Sequence, residues 1–130
     1  MKFFIAYKFK GEEPKELEKA MKIVCQALEE GSHGNYCTLW DKNIQSVNKS
    51  VLFNHAFQEI DKADGVLVFM KSEEKSEGML IEIGYAMAKK KRIILLIKKS
   101  IKNTRLRDLI KEKIEFDNLE ELKEKLKQLK

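Results

Sequence analysis

Apolar residues in this chain fall into two patterns that alternate along it: short unbroken runs, and stripes that recur every three or four positions. The runs predict strands buried on both faces and the stripes predict amphipathic helices. Phe3-Phe4-Ile5-Ala6-Tyr7 is the first run. Gly11 and Pro14 follow it, and proline is well suited to the first turn of a helix. Between 14 and 30, Leu17, Ala20, Met21, Val24 and Leu28 form one stripe, which Gly31 is expected to end with a left-handed cap. Tyr36-Cys37-Thr38-Leu39-Trp40 predicts a second, shorter strand, and Asp41 to Lys49 a polar loop of the length that often carries function.

From Ser50 onward, Leu52, Ala56, Ile60 and Ala63 mark one face of a second helix, which leads into the near-continuous apolar run Asp64-Gly65-Val66-Leu67-Val68-Phe69-Met70. Gly78 to Lys90 has a helical pattern, and Ile93-Ile94-Leu95-Leu96-Ile97 is another run. Arg105 to Lys111 predicts a short helix, Lys113 to Phe116 a last strand, and Leu119, Leu122, Leu126 and Leu129 a closing helix. Five strand-then-helix units imply a single α/β domain over 1–130. The expected form is a doubly wound three-layer sandwich with a five-stranded parallel sheet in the order 2-1-3-4-5, flavodoxin- or Rossmann-like. Ligands of such sheets sit outside the carboxyl ends of the strands, where the order switches between strands one and three. The loops after Tyr7, Trp40, Met70 and Ile97 are therefore the candidates.

Composition narrows the function. A chain of 130 residues has room for one core. No apolar run approaches the roughly 20 residues of a membrane span, and the first apolar stretch is too short for a signal peptide, so the expected location is cytoplasmic. The formal charge of +5 is uneven: residues 1–88 hold 11 Lys against 14 acids, and 89–130 hold 15 Lys and Arg against 7 acids. Only Arg92, Arg105 and Arg107 offer forked donors, so specific nucleic-acid recognition is not expected. Cys25 and Cys37 have neither zinc nor CxxC spacing and predict buried thiols. His33 and His55 lack ligand spacing, so neither a metal nor another cofactor is expected. No Gly-x-Gly-x-x-Gly or Walker-type loop follows any strand, and Tyr7-Lys8 stands where a phospho-receiver would carry acids.

Glu82 differs from the other acids. Its helical neighbours at three and four positions are Gly78, Met79, Tyr85 and Ala86, none of them a cation, in a chain rich in lysine. It lies beside the inward stripe of Met79, Ile83 and Ala86, near the strand ends. A carboxylate withdrawn from water there can stabilise or trap an oxocarbenium-like centre, which is what cleavage of an N-glycosidic bond requires. The other reading of the same pattern is a Glu that caps backbone amides or makes a tertiary ion pair. Trp40 and Tyr36 at the end of the second strand could stack on a base or belong to the core.

The segment Ser76-x-Gly78-x-x-x-Glu82-Ile83-Gly84-Tyr85-Ala86, with Ala63-Asp64-Gly65-Val66-Leu67-Val68 before it and Phe4-Ile5-Ala6-Tyr7 at the start, resembles the nucleoside 2-deoxyribosyltransferase superfamily. That group includes 2'-deoxynucleoside 5'-phosphate N-hydrolases. The resemblance implies Glu82 as nucleophile, Tyr7 as the residue holding its carboxylate, and Ser76 with Gly78 near a 5'-phosphate, as in the hydrolase branch. Lys8, Lys10 and Gly11 would complement that phosphate and Trp40 the base. The substrate would be a small nucleotide or nucleoside, and the chain would form a homodimer or larger homo-oligomer. The family's helix-two Asp is replaced here by Ala56, with Asn54, His55 and Glu59 nearby. Two further readings remain. One is an NAD glycohydrolase like some Toll/interleukin-receptor domains, which share the layout and a helix-three Glu. The other is a catalytically silent module that binds a nucleotide or a partner.

Overall fold

A computed structural model describes residues 1–44 and 47–130. The strands are β1 (Lys2–Tyr7), β2 (Gly34–Tyr36), β3 (Gly65–Met70), β4 (Arg92–Lys98) and β5 (Glu112–Phe116). The helices are α1 (Pro14–Glu30), α2 (Lys49–Lys62), α3 (Glu77–Ala88), α4 (Leu106–Leu109) and α5 (Leu119–Lys127). All four strand pairings are parallel, and the order is β2-β1-β3-β4-β5.

Alternate residues of the apolar strands feed two cores. Phe3, Ile5, Leu67, Phe69, Leu96 and Phe116 meet Met21, Val24 and Leu28 of α1 and Leu122 and Leu126 of α5. Phe4, Ala6, Val66, Val68, Leu95 and Ile97 meet Ala56 and Ile60 of α2, Met79 and Ile83 of α3, and Leu106 of α4. Because both sheet faces are covered, the strands lack polar alternation. No helix among the described residues is long and apolar enough to cross a membrane.

Helix starts follow short-range chemistry. The side chains of Glu13, Asn48, Ser76 and Asn118 each accept the N–H three residues on, which satisfies a donor the helix cannot. Two expectations need correction. Gly31 closes α1 at φ −86°, and the left-handed residue is Ser32 at φ 66°. Glycine is needed at 31 for a close approach, since a Cβ there would stand 3.0 Å from the carbonyl oxygen of Lys127 at the end of α5. The second strand covers Gly34–Tyr36 rather than 36–40, and Thr38–Trp40 forms a 3-10 turn in which the Trp40 N–H bonds the Cys37 carbonyl at 3.1 Å. Aromatic and β-branched side chains give 36–40 strand character, but this edge strand has one neighbour, and its pairing ends at Phe4 with Tyr36. Of the expected loop at 41–49, Lys42–Ile44 is a 3-10 turn and Lys49 opens α2, while residues 45 and 46 lie outside the described set.

Candidate active site

The order reverses between β1 and β3, and the residues expected to act gather around the loops that leave those strands. α3 starts there. Its cap is the Ser76 hydroxyl, which accepts the Met79 N–H at 3.1 Å and keeps its own proton available for donation. Gly78, in the first turn, has the Phe53 ring next to it, 3.8 Å from where a Cβ would be.

One turn further, Met79, Ile83 and Ala86 are buried against the sheet and Glu82 lies on the flank of that stripe, half-buried. Among the described residues its carboxylate has no hydrogen bond or ion pair. Among the described residues no fully sealed side-chain polar atom lacks a partner, so the Glu82 oxygens still reach solvent. Burial alone pushes its pKa up to about 8. At neutral pH the neutral acid therefore predominates, and the anion has no compensating cation among the described residues. A positive charge developing beside it would supply that compensation.

Tyr7 ends β1 with its ring packed on the α1-side core. Its hydroxyl pairs with Thr38 Oγ1 at 2.7 Å. Burial raises its pKa most, the charge of Cys37 next, and the Glu82 charge by a smaller share, partly offset by the Thr38 bond. Tyr7 and Glu82 thus influence each other electrostatically. The expected hydrogen bond between them is replaced here by the bond to Thr38, because the 3-10 turn brings Thr38 over the end of β1.

Lys8 does not project a free charge. Its Nζ lies 3.1 Å from Glu12 and 2.9 Å from Glu74, and Lys71 reaches Glu12 at 3.2 Å and Glu16 at 3.5 Å. Burial works against the Glu12 anion, yet the hydrogen bonds from Lys8 and Lys71 hold its pKa below the ordinary value. The cluster ties the loop after β1 to the loop after β3. Gly11 (φ +84°) makes the turn that folds the loop back on Lys8, and Lys10 is exposed beside it.

Trp40, at the end of the 3-10 turn that follows β2, is 44% exposed. Ala56 is packed inside the α2–α3 core at 2% exposure, so the helix-two position does not open to the cleft.

Pairwise sequence patterns do not reveal one further group. The Tyr36 hydroxyl donates to Asp41 Oδ2 at 2.6 Å, and His55 Nε2 lies 3.0 Å from that hydroxyl and 3.2 Å from Asp41. The hydrogen bond from Tyr36 is the main reason the Asp41 pKa falls. Only the four-residue spacing of His55 and Glu59, 3.8 Å apart, was a sequence signal for this cluster.

Comparison with solved structures gives the same architecture. The CMP N-glycosidase BcmB of Clostridium botulinum superposes with a TM-score of 0.75 at 22% identity, covering 99% of this chain and 100% of that one. The 2-deoxyribosyltransferase of Bacillus psychrosaccharolyticus gives 0.70 at 18% identity, covering 95% and 90%. A conserved protein of Enterococcus faecalis V583 gives 0.65 at 13%, covering 98% of each chain. At these identities the likeness concerns the fold. No curated protein sequence matches. The family model of nucleoside 2-deoxyribosyltransferases matches residues 6–123, nearly the whole alternation of strands and helices described above, and the chain belongs to that family.

Proposed function

We propose that this chain, acting as one unit over 1–130, cleaves the bond between base and sugar of a nucleoside or nucleotide, with Glu82 as the nucleophile or ion-pairing partner of the sugar. The observation that carries this reading is the uncompensated, half-buried carboxylate at the carboxyl end of the sheet. In the covalent form, a Glu82 oxygen bonds the anomeric carbon as the bond to the base nitrogen breaks. The base leaves with the electron pair and takes a proton from water, and a second water then releases the sugar and restores the carboxylate. Tyr7 stands at the end of β1 within electrostatic reach of Glu82, and its hydroxyl would have to leave Thr38 to hold that carboxylate. The free proton of Ser76 at the α3 cap and the exposed Lys10 suit a 5'-phosphate, which supports the hydrolase branch. A phosphate at Lys8 would have to displace Glu12 or Glu74. The exposed ring of Trp40 suits stacking on a base.

The burial of Ala56 supports a second reading, a module that binds a nucleotide without turnover, since the family's helix-two acid has no counterpart facing the cleft. The test is chromatographic detection of free base from nucleoside monophosphates, nucleosides and NAD. Release from monophosphates without an acceptor base supports the hydrolase. Release only with an acceptor identifies a transferase, nicotinamide release identifies a NAD glycohydrolase, and intact substrates at high protein concentration with retained binding identify the silent module. A symmetric oligomer would supply walls to the open Glu82 cleft; light scattering showing only monomer at micromolar concentration removes that part of the proposal.

A further inference from the structure

Two lysines and three carboxylates close the space between the loops that leave β1 and β3. Lys8 meets Glu12 at 3.1 Å and Glu74 at 2.9 Å, and Lys71 meets Glu12 at 3.2 Å and Glu16 at 3.5 Å. With three acids against two cations, the cluster as it stands offers an incoming anion no net attraction. The void that Lys8, Glu74, Lys71 and Ser72 leave beside Leu17 and Phe69 measures about 10 Å³, the room of one water molecule. A phosphate group is larger and reaches Lys8 only if an acid moves. On the other side the ammonium is confined by Gly11, where a Cβ would stand 3.3 Å from Nζ.

The two acids on Lys8 are themselves held differently. The Glu12 side chain is 11% exposed and bonds both lysines, and its backbone N–H reaches the Phe9 carbonyl at 3.2 Å. The Glu74 side chain is 76% exposed and, among the described residues, is held by Lys8 alone. It sits in the stretch 71–76, outside any strand or helix, so it can move without breaking the sheet or α3. An exposed pair of this kind is weak, and its loss to a competing anion costs little.

We propose that Glu74 is a specificity-determining residue: its carboxylate stands at Lys8 where the phosphate of a ligand would stand, and a sugar phosphate enters only as Glu74 swings out and Glu12 stays. Lys8 then joins Lys10 and the Ser76 hydroxyl as a donor to that phosphate. An unphosphorylated sugar leaves the Lys8–Glu74 pair closed and binds without this cost. Glu74 thereby sets how strongly the site separates phosphorylated from unphosphorylated ligands. The identity of the ligand as a sugar phosphate rests on the function proposed above, whereas the opening of the pair by an anion needs no turnover.

Ribose 5-phosphate is the probe, with ribose as its uncharged control, because neither carries a base to be released. In calorimetric titrations of the full chain, Glu74→Gln should bind ribose 5-phosphate about fivefold more tightly than wild type, since the exposed pair no longer competes, and ribose unchanged. Glu73→Gln removes the same charge one position away and should shift the affinity less than twofold. Lys8→Met in the Glu74→Gln chain should abolish the gain. In the wild type, a water-soluble carbodiimide should couple Lys8 Nζ to the Glu74 carboxylate as an amide. Saturating ribose 5-phosphate should suppress that cross-link while the distant Lys127–Glu30 pair, 3.2 Å apart, couples as before. The proposal is overturned by a cross-link that persists in the ribose 5-phosphate complex, by no gain in Glu74→Gln, or by a gain that ribose or Glu73→Gln shares or that survives Lys8→Met. Ribose 5-phosphate that binds neither wild type nor Glu74→Gln overturns it as well. If the chain binds ribose 5-phosphate in the expected way yet releases no base from any nucleoside or nucleotide, the proposed function fails and the role of Glu74 stands.

Discussion

Glu59 and Glu82 lie on neighbouring helices over the same face of the sheet, and they are treated in opposite ways. Glu59 is the more buried, at 8% exposure, and its carboxylate lies 3.8 Å from Lys2, 3.8 Å from His55 and 3.6 Å from Lys62. Glu82 is less buried and has no cation beside it among the described residues, and its pKa rises to about 8. Burial therefore does not distinguish a reactive carboxylate from a structural one. Compensation does: Glu59 uses its charge to join α2 to the start of β1, whereas Glu82 has no such partner among the described residues, which is the ground for proposing it as the reactive one.

The strongest challenge to this comparison is a third carboxylate placed where neither water nor a cation can reach it. Ala56→Asp should cost about 3–5 kcal/mol in urea unfolding and leave base release no faster, because the new acid enters the α2–α3 core and not the cleft. A faster reaction in a stably folded Ala56→Asp protein would show that α2 can present this position to substrate.

Next in size is Glu82→Gln, which should lower kcat roughly 100-fold or more, about 3 kcal/mol of transition-state stabilisation, in a protein that unfolds no more easily than the wild type. Wild-type rates in that assay would remove Glu82 from the chemistry.

The same substitution should separate the two proteins by pH. The folded-state pKa of Glu82, about 8, lies above its ordinary 4.5. The stability contributed by the protonated form is therefore fully present below about 4.5 and is lost as pH rises through 8. Glu82→Gln should match the wild type near pH 4.5 and exceed it by on the order of 2 kcal/mol at pH 9, as read by urea midpoints. A nucleophile must be ionised, so wild-type kcat/KM should climb toward a plateau above pH 8, and a profile falling over that range would identify Glu82 as a proton donor instead.

The smallest effect is expected at Glu59. Glu59→Gln leaves Lys2, His55 and Lys62 partly solvated and should cost about 1 kcal/mol with base release within twofold of wild type. A large loss of turnover would mean that the two glutamates are coupled and the contrast between them is false.

Much of this was readable along the chain. The unbroken runs at 3–7, 66–70 and 93–97 imply a sheet covered on both faces, and the absence of cations within one helical turn of Glu82 implies an uncompensated acid. The stripe Leu52, Ala56, Ile60, Ala63 marks one face of α2, and the burial of Ala56, Ile60 and Ala63 shows that this face turns to the core. What could not be read were contacts set by sheet register and loop path. Tyr7 meets Thr38 from 31 positions away, and Tyr36 gains Asp41 only because the chain leaves β2 early in a 3-10 turn. Local propensity favours a strand at 36–40, and the single-sided pairing of an edge strand overrode it.

The parallel register also bears on how the chain is made. β1 lies in the sheet between β2 and β3, yet it is synthesised before both, and the backbone contact that joins Lys2 to Asp64 spans 62 positions. At roughly 5–20 residues per second, a ribosome needs several seconds to deliver that partner. Until then Phe3, Phe4 and Ile5 have only the short strand β2 beside them, and the β3 side of an aromatic segment of high strand propensity stays open. Newborn chains should therefore leave the β3 side of β1 unpaired over that interval, a longer exposure than in an antiparallel hairpin fold, whose paired strands follow one another closely along the chain.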